Sequence, residues 1–246
     1  MINDAHCHMD LMENMPAFIN EIKNSNVSIF AVGTTPKAYD RETQFCRNAK
    51  NIFVGLGMHP QLIASGYDDW KLFTDLIEKS HYIGEVGLDF SREYVHTKEL
   101  QVERFNQIIR LCEEYGEKVV SIHALKSAGM VIDILKMYKR KNNNKYIFHW
   151  FTGTIPQLEK AIELGCYFSL NQKMLKTKSG IEVIKRVPID RMLLETDAPF
   201  AIKGQHLNEI EKELKKTLLS ISDIVGFDVS ETVDKNFQQL FVYEQI

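Results

Sequence analysis

The chain has 246 residues, 44% hydrophobic and 26% charged, which fits one large globular domain and excludes long disordered or low-complexity stretches. With 30 basic and 33 acidic residues the net charge is −3, which argues against gripping a long duplex through many phosphates. Any nucleic-acid role is therefore restricted to a short stretch or an end, held partly through bound metal. The four cysteines (Cys7, Cys46, Cys112 and Cys166) form no C-x-x-C pair, so free and mostly buried thiols in a reducing compartment are expected. No apolar run approaches the ~18 residues of a membrane span. The first residues show no basic segment leading into an apolar one, so no signal peptide is expected and the cytoplasm is the expected location.

Short apolar runs alternate with longer amphipathic ones. The runs Ile2–His6, Val27–Val32, Ile52–Met58, Tyr82–Leu88, Lys118–His123, Tyr146–His149, Cys166–Leu170 and Met192–Glu195 are eight candidate strands. Several are nearly all apolar, as strands covered on both faces should be. Between them Leu100–Tyr115 carries Val102, Phe105, Ile108, Ile109, Leu111 and Cys112 at helical spacing. Ile155–Leu164 and Gly180–Val187 read as shorter helices, and Leu207–Val225 and Ser230–Phe241 as two more near the end of the chain. Strict β-then-α alternation implies a parallel sheet, and eight strands imply closure into a (β/α)₈ TIM barrel spanning residues 1–246 as one domain. No glycine-rich dinucleotide or phosphate loop follows a strand, which disfavours an open sheet.

His6 and His8 stand two apart on the first strand, so both imidazoles point to one face and can reach one metal. Glu85 lies late in the fourth strand, His123 closes the fifth, His149 closes the sixth and Asp197 follows the eighth. In a parallel barrel the C-terminal ends of all strands share one rim, where active sites sit. Isolated ionisable groups at this depth would be costly, and metal coordination removes the cost. Four histidines and two carboxylates exceed the usual three ligands of one open zinc. They suit two divalent ions with a carboxylate between them. Nitrogen and oxygen donors without thiolate fit Zn or Mn, and Mg less well.

These residues resemble the TatD family of metal-dependent hydrolases, within the amidohydrolase superfamily. The resemblance is carried by Asp4-Ala5-His6-Cys7-His8, Gly57-Met58-His59-Pro60, Gly84-Glu85-Val86-Gly87-Leu88-Asp89-Phe90, Gln101 through Phe105, Ile122-His123, His149-Trp150-Phe151-Thr152-Gly153 and Leu194-Glu195-Thr196-Asp197-Ala198-Pro199. Within the family, the His149–Gly153 stretch and the brief loop after Pro199 resemble the TatD-like component of the Qat anti-phage defence system. The resemblance implies that His6, His8 and Asp197 hold one metal and His123 and His149 the other, with Glu85 bridging. It implies a deoxyribonuclease acting on single-stranded DNA or 3′ ends, with protein partners if it serves in a defence complex. Glu85 and Asp197 are the catalytic candidates, Asp197 as acceptor of the attacking water's proton. His59, Arg92, Lys126 and Lys173 are the candidate substrate contacts, all at or after strand ends on the reactive face.

The basic run from Lys136 to Lys145 precedes the sixth strand and is expected on the opposite, stability face, as is His81. His96 and His206 carry no assignment. Cys7 should point away from the ligands, and strand alternation aims Trp150 at the helix layer, as core packing. The sequence departs from the family at Gln61, where a second histidine is frequent. It departs again at Ala124-Leu125-Lys126, where an arginine is usual, and in the brief loop Phe200 to Gln205. The metal shell is complete and the substrate shell thinned. Two other functions therefore compete with a nuclease: hydrolysis of a C–N or ester bond in a small molecule or modified nucleobase, and a subunit active only with partners. A narrow pocket without basic groups at its mouth would favour the small molecule.

Overall fold

A computed structural model describes residues 2–138 and 142–241. Eight parallel strands alternate with helices: β1 (Ile2–Cys7), α1 (Met15–Lys23), β2 (Val27–Val32), α2 (Pro36–Cys46), β3 (Ile52–Gly55), α3 (Trp70–Ile77), β4 (Tyr82–Asp89), α4 (Lys98–Tyr115), β5 (Val119–Leu125), α5 (Ala128–Tyr138), β6 (Lys145–His149), α6 (Ile155–Glu163), β7 (Tyr167–Leu170), α7 (Lys178–Arg186) and β8 (Met192–Leu194). Two helices follow, α8 (Leu207–Val225) and α9 (Ser230–Leu240). This is the expected (β/α)₈ barrel. The third strand ends at Gly55, three residues short of the expected Met58, and the fifth runs past His123 to Leu125.

The ladder is continuous within β1-β2-β3 and within β4 to β8, and two irregular seams close the ring. At one seam Leu56 N–H donates to Tyr82 O at 3.0 Å and Met58 N–H to Glu85 O at 3.1 Å. At the other, Asp197 N–H donates to His6 O and His8 N–H to Ala198 O, both at 2.9 Å. Bare backbone lets the strands approach this closely. A Cβ on Gly57 would collide with the Gly33 carbonyl, and one on Gly87, whose φ is +141°, with the His123 carbonyl.

Helices form where apolar spacing gives them a face to bury. On α4 the buried residues are Gln101, Phe105, Ile108, Ile109 and Cys112, one stripe against β4, and Gly116 at φ +70° ends the helix. The opposite strand faces meet a second core beneath the site. There Phe237, Leu240 and Phe241 pack on Phe30, Phe53 and Ile147, with Phe237 and Phe241 centroids 4.3 Å apart. The terminal helix α9 thus plugs the barrel floor. Asn236 Nδ2 fixes it by donating to Ile189 O at 2.7 Å and Met192 O at 2.8 Å.

All four cysteines are buried, and Cys7 lies in the core. Of the basic run, Lys136 lies exposed in the last turn of α5 and Lys145 opens β6, while Lys139, Arg140 and Lys141 lie outside the described residues. His81 precedes β4 and packs edge-on against Tyr82. Among the described residues, no helix is long and apolar enough to cross a membrane.

One buried group works against stability. Glu42 of α2 is 1% exposed, and neither of its carboxylate oxygens has a hydrogen-bond partner. Burial, and then the neighbouring Asp10 charge, hold its pKa well above the ordinary 4.5. The folded chain therefore binds this proton more tightly than the unfolded chain does. Stability falls as pH rises from the ordinary carboxyl range towards the folded pKa. Glu42→Gln removes that loss. Urea denaturation between about pH 5 and about pH 8 should show the variant gaining on the wild type as pH rises. Parallel curves would contradict it.

Candidate metal centre

The bulge in β1 between Asp4 and Cys7 turns His6 and His8 into the barrel mouth. Asp4 fixes that turn across the β8 seam: its carboxylate accepts the N–H of His6 at 3.1 Å and of Thr196 at 3.0 Å. Glu85, 1% exposed, lies at the centre. Its Oε1 is 2.8 Å from His123 Nδ1 and 2.9 Å from His149 Nε2. Its Oε2 is 3.1 Å from His59 Nε2, 3.2 Å from His8 Nε2 and 3.7 Å from His6 Nε2. Asp197 Oδ1 completes the group, 3.5 Å from His8 Nε2 and 3.9 Å from His6 Nε2. All six expected ligands thus converge within one cluster.

The donor set fits divalent cations. Imidazole nitrogens face each other at 3.2 Å (His6 Nε2 and His8 Nε2) and 3.3 Å (His123 Nδ1 and His149 Nε2). Glu85 Oε2 lies among imidazole nitrogens yet makes no hydrogen bond of acceptable geometry. A buried carboxylate oxygen left unsatisfied among imidazole nitrogens is what a cation would join. Three-residue groups with mutually close ligand atoms are His6-His8-Glu85, His6-His149-Glu195 and His59-Glu85-His123.

The far ring nitrogens decide which side chains present a lone pair. His8 Nδ1 lies 3.1 Å from Val32 O, which only accepts, so the proton of neutral His8 sits on Nδ1 and Nε2 is free to bind. His6 Nδ1 is 2.8 Å from Ser121 Oγ. His123 Nε2 lies 3.1 Å from Asp89 Oδ2, which orients Nδ1 towards Glu85. His59 differs. Its Nδ1 accepts the Gln61 N–H at 3.1 Å, which places the neutral ring's proton on Nε2. His59 therefore faces Glu85 and the pocket as a donor, and despite its proximity it is a poorer ligand than the other four histidines.

Charges in the cluster are mutually balanced. Burial pushes His6 down to about 3. Burial opposes charge on His123 too, but hydrogen bonds to Asp89 and Glu85 outweigh it and raise the ring to about 9. His8 is likewise raised, by Asp197 and Glu85 against burial. Burial resists ionisation of Glu85, but the charges of His59 and His149 hold its carboxyl well below the ordinary range. Metal ions would replace the protons on His8 and His123.

Supporting residues that the sequence reading left unassigned lie one layer out. Asp89 touches His123 and accepts Gln61 Nε2 at 2.7 Å. Gln101 receives the Asp89 N–H at 2.8 Å and returns a bond to Asp89 O at 3.1 Å. Glu195 lies under His149 and accepts Asn171 Nδ2 at 2.6 Å and the Trp150 N–H at 3.1 Å. Asp89, Gln101 and Glu195 all fell inside matched stretches, and that was the signal available.

A cavity of about 450 Å³ opens above the cluster, lined by His8, His59, Glu85, His123, His149 and Asp197 at its floor. Trp150 is partly buried against the hydrophobic core, as expected, and it lines the cavity as well. Strand alternation no longer applies to Trp150, because β6 ends at His149 and the tryptophan backbone turns left-handed at φ +37°. Arg92, Lys126 and Lys173 are exposed on the loops after β4, β5 and β7 and do not line the cavity. His96 is exposed, and His206 pairs with Glu21 at 3.2 Å, away from the pocket lining.

A closed parallel barrel with a histidine and carboxylate cluster at the C-terminal strand ends defines a metal-dependent hydrolase. The profile of the family described as TatD related DNase matches residues 3–242, and the chain belongs to that family. It is 28% identical to an uncharacterized metal-dependent hydrolase of Buchnera aphidicola, over 97% of this chain and 95% of that one. It is 32% identical to a Schizosaccharomyces pombe protein named Deoxyribonuclease Tat-D, over 48% of this chain and 37% of that one. The structure of YJJV, a TatD homolog from Escherichia coli, superposes with a TM-score of 0.82 at 19% identity, covering 98% of this chain and 97% of that one.

Because Asp89 orients His123, Asp89→Ala should lower Mn²⁺ affinity by roughly 10–100-fold without changing the fold, as measured by calorimetric titration beside circular dichroism. Unchanged affinity would remove Asp89 from the site.

Proposed function

We propose that this TatD-family hydrolase is a two-metal phosphodiesterase that cleaves DNA at single-stranded or 3′ ends. The observation that carries the reading is the convergence of His6, His8, His123, His149 and Asp197 on the Glu85 carboxylate at the pocket floor. His6, His8 and Asp197 would hold one ion and His123 and His149 the second, with Glu85 between them. Zn or Mn suits these donors better than Mg. Ions so held would offset charge on a phosphate and acidify a water.

The remaining steps belong to the chain. Asp197 ends at the pocket surface beside His8 and is poised to take the attacking water's proton. His59 presents an Nε2–H to a phosphate oxygen. Arg92, Lys126 and Lys173, exposed on adjoining loops, are suited to phosphates further along the strand. The naming of the fission-yeast relative as a deoxyribonuclease supports DNA as substrate. The His149–Gly153 stretch and the short loop after Pro199 support a place in an anti-phage complex with partner proteins. Four buried cysteines support a cytoplasmic setting.

One observation favours a second reading. Among the described residues, no lysine or arginine lines the cavity, and its walls are largely apolar. A small-molecule ester or C–N bond would fit such walls. End-labelled single-stranded DNA with Mn²⁺, Mg²⁺ or Zn²⁺ separates the two. The nuclease reading expects metal-dependent cleavage that falls to background in Glu85→Ala and by roughly 10²–10⁴ in Asp197→Asn. Cleavage of carboxylic esters or cyclic amides with intact oligonucleotides would support the second.

A further inference from the structure

The walls of the pocket are chemically unlike its floor. Leu11 after β1, Leu62 after β3, Leu125 at the end of β5, Trp150 after β6 and Phe200 after β8 ring the metal cluster. Two of them are among the molecule's most exposed large apolar side chains, Phe200 at 63% and Leu11 at 43%. Apolar groups left in water around a polar cleft mark a surface that meets a ligand. Phe200 is also seated, edge-on to His8 with centroids 5.1 Å apart. Trp150 adopts a left-handed backbone that a bulky residue rarely takes, and Glu195 Oε1 holds it there by accepting its N–H at 3.1 Å. The same Glu195 underlies His149, with 3.9 Å between Oε1 and Nδ1, so the indole and the metal cluster are held in register by one carboxylate.

We propose that Trp150 and Phe200 form a clamp for a single nucleobase, so that the terminal nucleotide is recognised by its ring and the cluster receives its phosphate. This rests on the phosphodiesterase reading and specifies which part of the strand gives the affinity. Among the described residues, no lysine or arginine lines the pocket walls, so phosphates beyond the one at the cluster gain little there. An aromatic face binds any base, so the clamp reads the presence of a base rather than its identity.

The test compares thymidine 5′-monophosphate with 2-deoxyribose 5-phosphate, by calorimetry on Zn²⁺-loaded protein. Both carry the same phosphate, so its interaction with the metals cancels in the ratio. The nucleotide should bind about tenfold or more tightly than the sugar phosphate, in keeping with one base–aromatic stack. Trp150→Ala should bring the ratio to about one with the sugar phosphate's affinity unchanged, which also certifies the folded metal site, and Trp150→Phe should keep most of the preference. The chain has two tryptophans, and Trp70 stacks on Phe73 outside the pocket lining. In Trp70→Phe the remaining emission is therefore that of Trp150, and the nucleotide alone should quench it. Equal affinities in the wild type, or a preference that survives Trp150→Ala, would overturn the clamp. Oligonucleotide cleavage with equal affinity for the nucleotide and the sugar phosphate would overturn the clamp and leave the nuclease reading standing. A nucleotide bound more tightly than the sugar phosphate, with no oligonucleotide cleavage, would do the reverse.

Discussion

Five imidazoles lie within 3.7 Å of one buried carboxylate, Glu85, and the barrel mouth is organised around that fact. A carboxylate taken out of water needs compensating charge, and each neighbour supplies part of it. Without metal the compensation comes from the surrounding imidazoles, His59 and His149 first and His123 through its hydrogen bond. With metal it would come from cations, and the protons would leave. The cluster therefore holds together by exchanging one kind of positive charge for another. The outer residues follow from this: Val32 O, Ser121, Asp89 and Glu195 lie at the far sides of rings whose near nitrogens face Glu85 or its neighbours.

The fold serves the same constraint through its two irregular seams. Glu85 sits beside the β3–β4 seam, where Met58 N–H reaches its carbonyl. Asp197 sits at the β8–β1 seam, where its N–H reaches His6 O. A regular ladder would alternate side chains in and out. The bulge after Asp4 and the left-handed Asp197, at φ +50°, break that alternation and bring their side chains to the centre. The close backbone passages at Gly33–Gly57 and Gly87–His123 draw the strands in tightly enough for groups from five of them to meet.

The sequence was most legible where periodicity and position agree. His6 and His8 share a strand face by spacing alone, and Glu85, His123, His149 and Asp197 read as strand-end residues once eight strands are counted. What depends on backbone irregularity was not legible. Trp150 was assigned to the core by alternation and does pack partly against it, but the left-handed turn one residue beyond β6 also brings it to the cavity. Gln61 was visible only as a missing histidine, whereas in the fold its N–H fixes the His59 tautomer and its amide bonds to Asp89. Glu42 carried no assignment from the sequence, and its lack of partners is a property of packing. The exposed Arg92, Lys126 and Lys173 were placed on the correct loops, but no periodicity reports how far a side chain stands from a cavity.

The account depends on Glu85 lying between two cations, and metal stoichiometry tests that most directly. Purified chain saturated with Zn²⁺ or Mn²⁺, freed of excess ion and measured by plasma mass spectrometry should carry two ions per chain, with Glu85→Gln losing at least one while remaining folded. A single ion in the saturated wild type, or two ions retained after Glu85→Gln, would contradict a centre built around this carboxylate.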